Sequence, residues 1–395
     1  MGAFQPAWMV LMASTPPHAG QHAPLPVDEP SGAANAADAS GHLLGAADIR
    51  RIAAEAGISP TKKYGQNFVI DPGTVRRIVR EAGVQPGDHV LEIGPGLGSL
   101  TLALLEAGAV VDAVEIDPEL AARLPRTVAQ FMPQAQGSFA VLQRDALTLQ
   151  PSDLPTLASC ERFTLVANLP YNVATPIVLT LLERFDNLDR FLVMVQKEVA
   201  DRLAATPGGK VYGTPSVKLA WYGTAERVGL VGRNVFWPAP NVDSALVAFS
   251  RSSGRHPDDD AADNNDSTAS ADGINNTADS NTHTIHTAHA EELHAPGERE
   301  RVFRLIDAAF GQRRKTLHAA LRRLVPDEAY ARAGIDPTRR GETLTIEEFT
   351  TLSRAMGSCE ASASDGTVNP DMVHATVHAT TVHSDTGLEQ RGSGI

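Results

Sequence analysis

Between residues 46 and 250, short apolar runs alternate with segments whose apolar positions recur at helical spacing. His89–Ile93, Val110–Ile116, Phe139–Gln143, Phe163–Asn168, Phe191–Gln196, Val217–Tyr222 and Ala245–Ser250 predict strands. Each is short and bounded by turn residues, as buried strands are. Thr74–Ala82, Ser99–Ala107, Pro118–Gln130, Thr175–Phe185 and Glu198–Ala205 predict helices between them. This alternation implies an α/β fold: a Rossmann-like, mostly parallel sheet with helices on both faces. The last runs lack intervening helices, which predicts an antiparallel edge. Residues 299–356 carry no strand pattern and predict a small helical domain.

Three segments lack either period. Residues 1–45 are rich in Ala, Pro, Gly and His, residues 251–298 in Asp, Asn, Ser, Thr, Ala and His, and residues 357–395 resemble the second tract. Such compositions bury too little apolar surface to offset ordering entropy, so a disordered extension, an acidic low-complexity insert and a disordered tail are expected. His283, His286, His289 and His294 are irregularly spaced among Thr and Ala and read as solvated linker rather than a metal tract. Met9 and Met12 leave open a start downstream of Met1.

Composition narrows the class. Cys160 and Cys359 are too few and too far apart for a disulfide framework or a zinc site, which fits a reducing cytoplasm. No apolar run reaches the ~18 residues of a membrane helix. Ala7–Ala13 lacks the basic flank of a secretory signal. The net charge of -13 argues against a nucleic-acid partner until it is divided by segment. Residues 1–45 hold three acids and no Lys or Arg, residues 255–298 ten acids and one Arg, and residues 357–395 five acids and one Arg. The remainder carries a net charge of +3, so the acidity belongs to the tails and the insert.

Four motifs carry the chemistry, each at the end of a predicted strand. Val90-Leu91-Glu92-Ile93 runs into Gly94-Pro95-Gly96-Leu97-Gly98 and then a helix. Glycines let the main chain approach a ligand, and the amides opening the helix face it. The dinucleotide fingerprint is G-x-G-x-x-G; here the third glycine comes one residue early and Ser99 takes its place. With Glu92 two residues ahead, the run suits S-adenosylmethionine better than a nicotinamide dinucleotide, and Gly94 and Gly96 become candidate cofactor residues. A purely structural turn is the plainer alternative. Val114-Glu115-Ile116-Asp117 ends the next strand, where a carboxylate can accept from both ribose hydroxyls. Glu115 is the candidate; Asp117, ahead of Pro118, predicts a helix cap. Asp145 can accept from the exocyclic amine of the cofactor adenine, or serve only as a turn carboxylate.

Asn168-Leu169-Pro170-Tyr171-Asn172 is the most specific of the four. In open α/β sheets, ligands lie beyond the C-terminal strand ends. The amine of an aromatic base is a poor nucleophile because its lone pair is delocalised into the ring. Acceptors on its N–H bonds draw it toward a tetrahedral form and aim the lone pair. The Asn168 side-chain oxygen and a carbonyl near Leu169–Pro170 supply them. Pro170 fixes the turn and has no N–H. Tyr171 offers a flat face to a base taken out of its stack. An ordinary Pro-Tyr turn is the alternative.

With Lys63-Tyr64-Gly65-Gln66-Asn67-Phe68, Gln196-Lys197-Glu198-Val199, the run from Phe236 to Ser244, and Ala309-Phe310-Gly311-Gln312-Arg313-Arg314-Lys315-Thr316, these motifs resemble the ribosomal RNA adenine dimethyltransferase family. The likeness spans residues 46–356 apart from the insert, and is specifically to the bacterial enzymes that dimethylate two adjacent adenines near the 3′ end of 16S rRNA. It implies a class I methyltransferase sheet, S-adenosyl-L-methionine as methyl donor, no metal, and the small ribosomal subunit as partner, with a role in its biogenesis. It also implies that Gln66, Asn67 and Val69 line the cofactor site from an N-terminal segment folded over it, completed by Gly94, Glu115, Asp145 and Asn168. Phe236 would face Tyr171 across the target adenine; from the residues alone it reads as a core aromatic. A cytoplasmic monomer is expected.

Residues 299–323 hold eight basic residues against Glu300 and Asp307, a net charge of +6. Val302, Leu305, Ile306, Ala309 and Phe310 recur at helical spacing, so one face packs and the other is basic. Arg313, Arg314, Lys315, Arg322 and Arg323 are candidate RNA contacts, of the phosphate kind that gives salt-dependent affinity without reading sequence. A solvated basic face is the alternative. The adjacent acidic insert is expected to compete for this patch. Three other functions share parts of the pattern: a 23S rRNA adenine methyltransferase, a mainly non-catalytic ribosome-assembly factor, and a DNA adenine methyltransferase.

Overall fold

The structure, a computed structural model, describes residues 41–58, 66–171, 173–252 and 297–363. Residues 1–40, most of the insert, and the tail beyond Ala363 lie outside the described residues, with the expectations that fall on them. The patternless N-terminal stretch ends earlier than expected. Leu43 and Leu44 are buried, and the His42 N–H donates to the Phe131 carbonyl at 3.2 Å.

The chain continues through α1 (Ala46–Glu55), β1 (Phe68–Val69), α2 (Pro72–Glu81), β2 (His89–Ile93), α3 (Ser99–Glu106), β3 (Val110–Glu115), α4 (Pro118–Phe131), β4 (Phe139–Gln143), α5 (Pro155–Ser159), β5 (Phe163–Asn168), α6 (Ala174–Arg184), β6 (Leu188–Gln196), α7 (Lys197–Leu203), α8 (Thr214–Ala220), β7 (Gly223–Val231), β8 (Phe236–Trp237) and β9 (Ser244–Arg251). Four helices follow: α9 (Glu298–Gly311), α10 (Leu317–Leu321), α11 (Asp327–Ala333) and α12 (Ile346–Ala363). The helical part thus starts at Glu298, buried and paired with Arg354 at 2.6 Å, and runs past the expected boundary at 356. Local chemistry sets the starts of several helices. The Asp71 carboxylate accepts from Thr74 N at 2.7 Å ahead of Pro72, a cap worth about 1 kcal/mol, and Asp117 caps α4 as expected.

Seven strands form one sheet in the order β4-β3-β2-β5-β6-β9-β7. Strands β4 to β6 run parallel; β9 is antiparallel to both of its neighbours, which is the expected edge. Alternate side chains serve the two faces. Leu192 and Met194 join the cluster that includes residues of α1 to α4, while Phe191, Val193 and Val195 join that of α5 to α7. The chain order reverses between β2 and β5, and such a switch point opens a crevice at the C-terminal strand ends.

One expected strand is wrong. Val217–Tyr222 lies mostly in α8, which begins after Gly213 with Pro215 in its first turn. Its Val217 belongs to a third core with Tyr212 and the C-terminal helices. The missed strand is β7, whose alternation is interrupted by a register shift between Arg227 and Gly229 and which is largely exposed. The C-terminal helices therefore share a core with the segment after α7. Tyr212 Oη donates to the Leu344 carbonyl at 2.9 Å, and Gly208 N to that of Glu342 at 2.8 Å.

Candidate active site

A cavity of about 310 Å³ opens at the switch point. Its wall brings together Gln66, Asn67, Val69, Gly94, Gly96, Glu115, Asp145, Asn168, Leu169, Pro170 and Tyr171, residues spread over more than a hundred positions of chain. The glycine run forms its floor. Gly96 has φ +60°, and a Cβ there would lie 2.9 Å from the Phe68 ring, so both backbone shape and close approach exclude a side chain. Gly98, φ +98°, starts α3.

Glu115 is buried and fixed by two amides: Gly96 N donates to Oε2 at 3.1 Å and Asp117 N to Oε1 at 2.9 Å. Burial pushes its carboxyl above the usual range, opposed by those hydrogen bonds. A carboxylate has about four acceptor sites, so two amides leave room for a diol. Asp145 accepts from Leu147 N at 2.9 Å and starts a short 3-10 turn; it is a turn carboxylate and lines the cavity as well. Ile116, 43% exposed, lies beside them. A glycine turn, a buried carboxylate, a second carboxylate and apolar walls together fit a nucleoside-bearing cofactor.

The N-terminal segment is tied across this cavity. Phe68 and Val69 pair antiparallel with Trp237 and Phe236. Gln66 Nε2 donates to Asp117 Oδ2 at 2.9 Å, and Ser99 Oγ to the Val69 carbonyl at 2.6 Å. The serine that stands where the dinucleotide fingerprint wants glycine is thus an anchor for the segment.

The asparagine turn forms the rim. Asn168 Nδ2 donates to the Asn67 carbonyl at 3.1 Å, which orients the amide and leaves its oxygen as acceptor. Leu169 N donates to the Met194 carbonyl at 3.0 Å, extending the β5–β6 ladder, and Val173 N to the Pro170 carbonyl at 3.2 Å. The Leu169 carbonyl borders the same cavity beside Asn168. Tyr171 Oη lies 2.8 Å from Ser244 Oγ, and burial raises its phenol pKa. Asn172 lies outside the described residues. Phe236 does not reach the cavity wall. It is 3% exposed, in the core cluster with Phe68, Val69 and Val231, and its backbone pairs with Val69.

Sequence reasoning singled out neither Ser244 nor a role for Glu92 beyond the glycine motif. Glu92 is 1% exposed, lines the cavity and accepts from Thr101 Oγ1 at 2.6 Å; burial pushes its carboxyl up to about 8. Nothing in the local spacing points to either contact. No group of three or more metal-ligating side chains occurs among the described residues, and no helix there is long and apolar enough to cross a membrane.

The basic candidates divide. Arg313, exposed, also pairs within the protein: Nε meets Glu342 Oε2 at 2.8 Å and Nη2 donates to the Lys210 carbonyl at 2.7 Å. Arg314, Lys315, Arg322 and Arg323 are exposed and pair with no carboxylate among the described residues.

A sheet of this order, with a nucleoside-sized crevice at its reversal and an asparagine–proline–tyrosine rim, defines a class I methyltransferase. The ribosomal RNA adenine dimethylase family model matches residues 59–268, and the chain belongs to that family. It is 68% identical over 321 residues to Ribosomal RNA small subunit methyltransferase A of Bifidobacterium longum (strain NCC 2705), covering 81% of this chain and 96% of that protein. It is 51% identical over 318 residues to the protein of the same name from Streptomyces griseus, covering 79% and 94%. Among solved structures, a dimethyladenosine transferase from Plasmodium falciparum shares the fold, with a TM-score of 0.51 at 20% identity over 72% of this chain and 95% of that one.

Proposed function

We propose that this protein transfers methyl groups from S-adenosylmethionine to N6 of two adjacent adenines near the 3′ end of 16S rRNA, giving N6,N6-dimethyladenosine. The single observation behind this reading is the Asn168–Asn67 hydrogen bond at the rim of the glycine cavity, which presents an oriented acceptor where an adenine amine would enter.

Gly94, Gly96, Glu115 and Asp145 would hold the cofactor, whose sulfonium supplies an activated methyl group and a neutral leaving group. The protein then needs positioning more than acid–base catalysis. The Asn168 oxygen and the Leu169 carbonyl take the two N–H bonds of the adenine amine and turn its lone pair toward the cavity, a preorganised placement of dipoles. The Tyr171 ring stacks on the flipped base. The amine becomes acidic only after attack, so no strong base is required. A monomethylated amine keeps one N–H for these acceptors. The exposed cations Arg314, Lys315, Arg322 and Arg323 would hold rRNA phosphates. A monomer acting in the cytoplasm during small-subunit biogenesis is the setting this implies.

Labelled methyl transfer to purified small subunits from an unmethylated strain tests the proposal, with large subunits and DNA as controls. Label in small-subunit rRNA alone is expected. Label in large subunits or DNA would transfer the assignment to the 23S or DNA reading. No label anywhere, with binding to small subunits retained, would leave an assembly factor.

A further inference from the structure

Tyr171 reaches from the end of β5, past the end of β6, to the first residue of β9, where its hydroxyl meets Ser244 Oγ at 2.8 Å. Ser244 is fully buried. The sheet holds it from both sides, paired with Gln196 of β6 and Val231 of β7. Asp243, just before it, accepts through its carbonyl from Lys197 N at 2.9 Å. The serine oxygen is therefore a fixed point. At the other end of the aromatic side chain, the main chain is fixed by the Leu169–Met194 hydrogen bond.

Stacking on a base needs only the face of a phenol ring, not its hydroxyl. The hydroxyl of half-buried Tyr171 nevertheless meets a fully buried partner, and a polar pair that satisfies each other sets a geometry that neither group holds alone. Ser244 also closes the connection that begins at Phe236, whose backbone pairs with Val69. One connection thus holds the N-terminal segment at its start and the tyrosine at its end.

We propose that Ser244 is a positioning residue for base methylation: by holding Tyr171 Oη it sets the tilt of the ring on which the target adenine stacks. This rests on the methyl-transfer reading above. The hydroxyl pair moves no proton in the reaction and touches no reacting atom; it acts through the ring. Rate is sensitive to such placement, since a misplacement of about 1 Å costs on the order of a hundredfold.

The test compares the unsubstituted protein with Ser244→Ala, Tyr171→Phe and the double variant, on small subunits from an unmethylated strain. Each single substitution is expected to lower kcat on the order of tenfold with KM for RNA and cofactor within about twofold. The double variant should be no slower than the slower single one, because both remove the same link. A Ser244→Ala protein with unaltered kcat, a loss carried by KM, or losses that multiply in the double variant would overturn the inference. Should Ser244→Ala fail to fold, Tyr171→Phe, which keeps the ring, decides: an unaltered kcat overturns the proposal and a lowered one supports it. An unsubstituted protein that leaves small subunits unmethylated overturns the methyl-transfer reading and the inference together. Active variants beside an active parent overturn the inference alone.

Discussion

The Asn168 side chain gives its N–H to the main-chain carbonyl of Asn67, 3.1 Å away, and this one contact joins the N-terminal segment to the end of β5. It engages the amide nitrogen, and on the proposed function the oxygen would accept from the substrate. Removing it should therefore disable chemistry before it disables folding. Asn168→Ala is expected to slow single-turnover methylation by roughly 10²- to 10³-fold, the usual cost of deleting one preorganised hydrogen-bonding group, while small-subunit affinity is retained. Rapid-quench measurement with a labelled methyl donor checks this; a rate within tenfold of the parent would count against Asn168 as the amine acceptor.

Gly96→Ala should weaken cofactor binding more than it weakens RNA binding. The new Cβ meets the Phe68 ring at 2.9 Å and must sit at φ +60°, so either the N-terminal segment or the glycine turn shifts. Titration calorimetry is expected to show a loss of about tenfold or more in cofactor affinity, about 1.4 kcal/mol.

Glu92 makes stability depend on pH in a direction unusual for a carboxylate. Burial raises it from an ordinary value near 4.5 to about 8, so between those values the folded protein binds more protons than the unfolded chain. Stability then falls as pH rises. The contribution is fully present below about 4.5 and lost as pH passes through about 8. Glu92→Gln, neutral throughout, should flatten the decline in Tm across that window; parallel curves for the two proteins would show that Glu92 ionises normally.

Arg313 and Arg314 are neighbours with different work. Arg314→Ala or Lys315→Ala should lower the slope of log Kd against log salt for rRNA by about 1, as loss of one phosphate contact does. Arg313→Ala should leave the slope nearly unchanged, because its charge already faces Glu342, and should instead lower Tm by releasing Glu342 and the Lys210 carbonyl. Filter-binding isotherms from low to high salt, with melting curves, distinguish the two.

Much of this was legible in the chain. His89–Ile93, Phe139–Gln143 and Phe163–Asn168 coincide with β2, β4 and β5 to the residue, since short apolar runs between turn residues mark strands, whether buried as in β2 and β5 or at the sheet edge as in β4. Val217–Tyr222 misled because Val217 and Leu219 alternate over too few residues to separate a strand from the buried face of a short helix. Packing against Tyr212 and the C-terminal helices decided in favour of α8. Phe236 shows the same limit at the site: its backbone pairs with a partner far away in sequence.

Sequence alone determined most of the sheet, the Asp117 cap, the glycine turn and the strand-end motifs, because each is specified by the period, size or hydrogen-bonding capacity of residues close together in the chain. Only the tertiary structure decided which atoms meet. Asn67 lies 101 residues from Asn168, and Tyr171 lies 73 from Ser244. Arg313 meets Glu342 while Arg314 pairs with no carboxylate among the described residues. Such contacts depend on where whole strands and helices come to rest, and no local pattern carries that information.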